Sequence, residues 1–194
     1  MELPSYNIPD LAPPDIPAYL AEKDIVMIPI ASLEQHGPHL PLATDTIQAD
    51  EITQRAAERA AVLYTPCVWF GYSPQHMYGP GEGTGTITIR SQILLDVYHD
   101  VARSLIHHGF NRLVFVNNHG SNTKIIDPLL RRIRYETGAF VTFSKLYAER
   151  YLGRAVAELN ATGLLPSRLR RWGGDGLHDD VMSVADCGWG MLFA

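Results

Sequence analysis

Cysteine is nearly absent. Cys67 and Cys187 are the only two in 194 residues. A disulfide framework is therefore excluded as the organising principle, and a reducing compartment is expected. Excess positive charge is missing as well. The formal net charge is -5 and the pI is about 5.9, the opposite of a nucleic-acid binder's basic footprint. The tightest basic clusters are "RLRR" at 168–171 and the trio Arg131, Arg132 and Arg134. Runs this short read as solvated helix faces. No apolar run approaches the length needed to span a bilayer. The start, "MELPSYNIPDLAPPDIP", lacks the basic and apolar segments of a signal peptide. The expectation is a cytoplasmic protein with no nucleic-acid and no membrane partner. What is there is 46% hydrophobic and 19% charged, enough apolar material for a single domain over 1–194.

Order along the chain comes from apolar patterning. Prolines 4, 9, 13, 14 and 17 make residues 1–20 an extended proline-rich arm. "DIVMIPI" (24–30) is a short continuous apolar run, the pattern of a strand buried on both faces. A helix is expected over 46–60, with Ile47, Ile52 and Ala56 as its apolar stripe. A second strand is expected over 61–70, interrupted by Pro66. The Gly/Pro loop 71–86 has the length and composition of a functional loop. Ser91 is placed to cap a helix over 92–108, whose apolar face is Leu94, Val97, Val101 and Leu105 and which Gly109 stops. "NRLVFVN" (111–117) is a third strand, followed by a helix over 122–135 that contains Pro128. A strand over 139–144 and a helix over 146–160 follow. The C-terminal segment is atypical, Gly-rich and then apolar. Strands alternate with helices, which argues an α/β fold with a mostly parallel central sheet between helical layers.

The chemistry collects where such strands end. Parallel sheets bind ligands outside the carboxyl ends of their strands. Glu34, His36 and Asp45 follow the first strand, Gln75 and His76 the second, and His119 the third. In extended backbone, Glu34 and His36 project to one side. Asp45 lies just before a helix and is close enough to fold back. His119 adds a donor from a distant part of the chain. Mixed His and carboxylate sets suit Zn, Mn or Fe with a position left open for water. A bridging Asp lets two ions sit roughly 3.5–4 Å apart. The competing account is that each histidine is a satisfied core residue and "HGSN" is only a turn with Asn122 as helix N-cap. That account needs two acids and two histidines to gather on one edge without cause. His39 is out of phase with Glu34 and His36. It is either a supporting residue behind the ligands or a loop histidine bonded to backbone. His107 and His108 sit near a helix C-terminus, where a cation is favoured without any further role.

"SLEQHGPHLPLATDT", "QHMYGPGEGTGTITIR" and "HHGFNRLVFVNNHGSN" together resemble the creatininase (creatinine amidohydrolase) family. The likeness is best over 25–122. It implies an α/β/α sandwich and a divalent metal centre of one or two ions, held by Glu34, His36, Asp45 and His119 with Asp45 as bridge. It also implies a small-molecule substrate and a homo-oligomer, commonly a hexamer. His178 in "GLHDDVMSVAD" matches a family histidine and is the expected catalytic proton carrier, with Trp172 just upstream. Two positions depart from the pattern. Ser121 and Ser183 stand where family members place a glutamate, and Asp179 and Asp180 are the carboxylates nearest the second of these. The expected function is a metal-dependent amidohydrolase that cleaves a C–N bond of a small cyclic amide with metal-activated water. The alternatives are a non-catalytic ligand- or partner-binding relative, or a hydrolase of a cyclic polyol ketone.

Overall fold

The computed structural model describes residues 3–77 and 83–145. A four-stranded sheet forms the centre, in the order β2-β1-β3-β4. Its strands are β1 (Ile25–Ile30), β2 (Leu63–Tyr64), β3 (Arg112–Asn117) and β4 (Phe140–Lys145). All three pairings are parallel, with Ile30 opposite Asn117 and Asn117 opposite Lys145. The described helices are α1 (Asp15–Leu20), α2 (Thr44–Ala60), α3 (Ser91–His107) and α4 (Gly120–Thr137). From β1 the chain winds outward to β2, then crosses back to β3 and β4 on the other side. Right-handed crossovers put α2 on one face of the sheet and α3 and α4 on the other. This is the expected α/β sandwich.

Continuous apolar strands mean burial from both sides, and the middle strands are closed. Val26, Ile28, Ile30, Leu113 and Phe115 are fully buried. Tyr98 of α3 packs edge-on against Phe115, and its hydroxyl donates to the Pro29 carbonyl at 3.1 Å. Helices α3 and α4 are joined by His99 Nε2 to Glu136 Oε2 at 2.8 Å.

Several elements differ from the sequence expectation. The proline-rich start packs on the domain instead of standing away from it. Leu3, Tyr6, Ile8, Leu11, Ile16 and Leu20 lie against the core, and Tyr19 is buried with its hydroxyl donating to Ile25 O. Prolines set a short 3₁₀ turn (Ile8–Asp10) and the start of α1, where a fixed φ suits a helix entrance. Helix α2 buries Ala49, Thr53 and Ala57, while Ile47 and Ile52 are 53% and 41% exposed. Small residues let the helix approach the sheet closely, so its buried face is not its most apolar one. Strand β2 shrinks to two residues because Pro66 has no N–H to continue the ladder. Arg90, not Ser91, is the N-cap of α3, and no side chain caps it. Helix α4 starts at Gly120 with His119 as N-cap, so Asn122 lies inside it. The expected helix over 146–160 lies outside the described residues.

Candidate metal centre

Strand order reverses between β1 and β3, and loops leaving their carboxyl ends diverge there. Such a point is the binding crevice of an open parallel sheet. Glu34 follows β1 and His119 follows β3, so both enter that crevice.

Local structure fixes each of the donors. Leu33 bridges Ile87, and the Glu34 N–H donates to Leu42 O at 3.0 Å. The chain between them turns at Gly37, whose φ is +80°. Asp45 lies in the first turn of α2, where a helix N-terminus favours a carboxylate. The Asn118 amide donates to the Asp45 carbonyl at 3.1 Å and ties this turn to the end of β3. His119 is extended, φ -143°, and exchanges backbone–amide bonds with Asn117. Asn122 binds across the loops: its amide N–H donates to Ala31 O at 3.0 Å and its oxygen accepts from Tyr72 N–H at 3.1 Å.

The four expected donors converge. Asp45 Oδ1 lies 3.1 Å from His36 Nε2, and Asp45 Oδ2 lies 3.1 Å from His119 Nδ1. Glu34 Oε1 is 3.3 Å from His119 Nδ1 and 3.8 Å from His36 Nε2. One ligand atom each from Glu34, Asp45 and His119 falls within 4.8 Å of the others. His76 also reaches the cluster, with Nε2 at 3.4 Å from Glu34 Oε2. His39 does not: it is exposed, and the sequence option of a supporting role behind the ligands is not realised. His178, Trp172, Asp179, Asp180 and Ser183 lie outside the described residues. Ser121 accepts a hydrogen bond from the Gln75 amide.

The hydrogen-bond network assigns the ring protons. His119 Nε2 faces Tyr72 O and Ser73 Oγ, each at 3.1 Å. A carbonyl can only accept, so Nε2 carries a proton and Nδ1 is the nitrogen left to face the carboxylates. His36 repeats the arrangement, with Nδ1 on the Glu34 carbonyl at 3.1 Å and Nε2 toward Asp45. A nitrogen facing a carboxylate needs positive charge between them, supplied by a second ring proton or by a cation, and the ion-free site favours the proton. Burial alone would push the His36 and His119 pKa values down, yet Asp45 and Glu34 hold both above the ordinary value, His119 well above. Burial would raise the Asp45 carboxyl, but the two histidines hold it low. His76 goes the other way, lowered chiefly by burial.

Glu34 is the strongest sign of an ion. It is 0% exposed, and neither carboxylate oxygen has a hydrogen-bond partner among the described residues. A buried carboxylate left so costs several kcal/mol unless it is neutralised or coordinated. Two carboxylates and two imidazoles with backbone-anchored N–H groups form a donor set and support typical of Zn, Mn or Fe. The residues present therefore fit a divalent cation.

A family model described as creatininase, creatinine amidohydrolase, matches residues 9–173. The chain belongs to the creatininase family. Creatinine amidohydrolase of Pseudomonas putida is 34% identical over 116 residues, covering 57% of this chain and 45% of that protein. The mycofactocin precursor peptide peptidase of Mycobacterium ulcerans is 38% identical over 117 residues, 57% of this chain and 46% of the relative. The 3-dehydro-scyllo-inosose hydrolase of Thermotoga maritima is 28% identical over 101 residues, 52% and 32% of the two chains. Each match spans less than half of the relative's length. A solved creatininase structure superposes with a TM-score of 0.65 at 31% identity, covering 73% of this chain and 58% of that one. A manganese form gives 0.64 at 31% identity, with the same coverages of 73% and 58%.

Sequence reasoning missed the residues that orient the donors. Ser32, Ser73, Asn118 and Asn122 are buried and polar, and the Ser32 and Ser73 hydroxyls bond each other. Their one visible signal is that each lies within two residues of a strand end or loop already marked by a titratable side chain. Asn122 was readable only as a cap, because its partners Ala31 and Tyr72 lie 91 and 50 residues away.

Proposed function

We propose that this chain is a metal-dependent hydrolase that cleaves the C–N bond of a small cyclic amide. The observation that carries this is the buried Glu34 carboxylate, without a hydrogen-bond partner among the described residues and facing Asp45 and two histidines whose outer nitrogens are anchored. When bound, a divalent cation supplies an acidified water and polarises the scissile carbonyl. Glu34, His36, Asp45 and His119 would hold it. Asp45, with one oxygen toward each histidine, is suited to be shared where two ions are held. The Tyr72 and Glu34 carbonyls keep the histidines in the ligating tautomer. The segment after Gly71, which pairs Thr88, would help shape the pocket. His178 is assigned the transfer of a proton to the leaving nitrogen, on its match to the family motif. Cyclic amide is preferred over peptide or polyol ketone because the family model and the Pseudomonas relative carry the name creatinine amidohydrolase. A small-molecule substrate and a homo-oligomeric assembly belong to the same proposal.

Metal analysis of the purified protein, with ring-opening assays over cyclic amides, tests it. The expected result is stoichiometric Zn, Mn or Fe and turnover on at least one amide. Asp45→Ala is expected to lose the metal and the turnover together. Retention of the parent's metal content in that variant would dismiss the centre. A second reading, a binding relative without turnover, is favoured by Ser121 and Ser183 at the family's glutamate positions. Bound metal with no hydrolysis on any amide would select it.

A further inference from the structure

His76 holds a place that the four-ligand set does not use. It is buried, in the 3₁₀ turn Pro74–His76, with Nε2 at 3.4 Å from Glu34 Oε2. The ligand cluster instead uses the other oxygen, since Oε1 faces His119 Nδ1 at 3.3 Å. The protonation of His76 is set by a neighbour. Gly37 N–H donates to Gln35 Oε1 at 3.0 Å, which fixes the orientation of that amide. The Gln35 Nε2 amide then faces His76 Nδ1 at 3.4 Å. An amide N–H can only donate, so Nδ1 accepts and Nε2 bears the proton. His76 therefore turns a protonated Nε2 toward Glu34 Oε2, close to it but outside hydrogen-bond geometry, whereas His36 and His119 keep a proton toward a backbone carbonyl and turn the other nitrogen to the centre. Gly83 keeps the turn in place: a Cβ there would lie 1.8 Å from the His76 carbonyl oxygen.

We propose that His76 is a positioning residue whose Nε2–H, 3.4 Å from Glu34 Oε2, steers that oxygen and leaves Oε1 for the cation. This rests on the metal-centre reading above. An imidazole N–H on the far oxygen fixes the carboxylate's rotation and favours binding through one oxygen. Such outer partners typically contribute 10–100-fold in metal affinity. The chain Gly37–Gln35–His76–Glu34 links the loop after β1 to the turn after β2, so both loops set the ligand's angle.

The test uses the full chain with Co²⁺ and Zn²⁺ as probes, comparing parent, His76→Ala and His76→Gln. A glutamine amide can place an N–H near the Nε2 position, so it should recover what alanine loses. His76→Ala is expected to weaken Zn²⁺ binding about 10–100-fold and to shift the visible Co²⁺ absorption. His76→Gln is expected to recover most of both. Alanine and parent binding alike, with the same Co²⁺ spectrum, would overturn the assignment. So would equal losses in alanine and glutamine variants that stay folded, because that pattern means packing rather than orientation. If alanine does not fold, the glutamine variant decides, by keeping or losing the parental spectrum. A parent that binds neither ion fails the metal-centre reading itself, an outcome separate from these.

Discussion

Asp45 turns one oxygen toward each of two histidines at 3.1 Å, while neither Glu34 oxygen has a hydrogen-bond partner among the described residues, and the two carboxylates should respond differently to neutralisation. With Asp45 intact, His36 and His119 keep a charged partner when Glu34 becomes an amide. Glu34→Gln should therefore leave the melting temperature of the chelated protein within a few degrees of the parent. Metal affinity should fall at least about 100-fold, since an amide oxygen is a far weaker ligand than a carboxylate. Calorimetric titration with Zn²⁺ and a melting curve in chelator measure the two effects. A large drop in chelated stability would mean that Glu34 is a structural ion-pair partner, not a held ligand. Cys67 needs no such experiment to be set aside. Burial pushes its thiol far above the ordinary range, which disfavours the nucleophilic thiolate at neutral pH.

At the scale of elements, the α3–α4 contact has a titratable fastening. Glu136 bonds Arg132 Nε at 2.9 Å on its own helix and buried His99 at 2.8 Å on α3. Arg132 first, then His99, hold its carboxyl below the ordinary value. A group whose folded pKa is depressed contributes stability above its unfolded pKa and loses it as pH falls through the folded value. Glu136→Gln should thus melt lower than the parent at neutral pH. The two curves should converge in acid below the ordinary carboxylate range. Melting temperature against pH for both proteins measures this, and parallel curves across that range would count against the link. The same scale shows what patterning can and cannot reveal. Strands β1 and β3 were legible because burial on both faces writes a continuous apolar run. The seating of α2 was not. Its buried positions Ala49, Thr53 and Ala57 are small or polar, and they face the sheet because closeness, not hydropathy, decides that contact. Four donors were legible because each follows a strand, while Gln35 and Ser73 act through partners far away in sequence.

For the whole molecule, the centre draws together segments that the chain keeps apart. Asp45 and His119 are 74 residues apart, and Glu34 enters from a third loop. A cation held there cross-links the end of β1, the start of α2 and the end of β3, the three places where the fold diverges at its switch point. Any ligand that binds the folded state and not the unfolded one stabilises it by mass action, about 2.7 kcal/mol at 100 times Kd. Zn²⁺ or Mn²⁺ at that level should raise the melting temperature by several degrees over a chelated sample. The gain should vanish in Asp45→Ala. The distribution of the gain is the sharper test. Hydrogen exchange should slow most in 33–46, 72–76 and 117–123, because these loops open by local motions that the ion now opposes. Helix α3, which packs on the core through Leu94, Tyr98, Ala102 and Leu105 and offers no candidate ligand, should change only as much as global stability does. Uniform slowing without this local excess would mean that the ion binds elsewhere. Excess slowing in the three loops, absent in Asp45→Ala, would place it among Glu34, His36, Asp45 and His119.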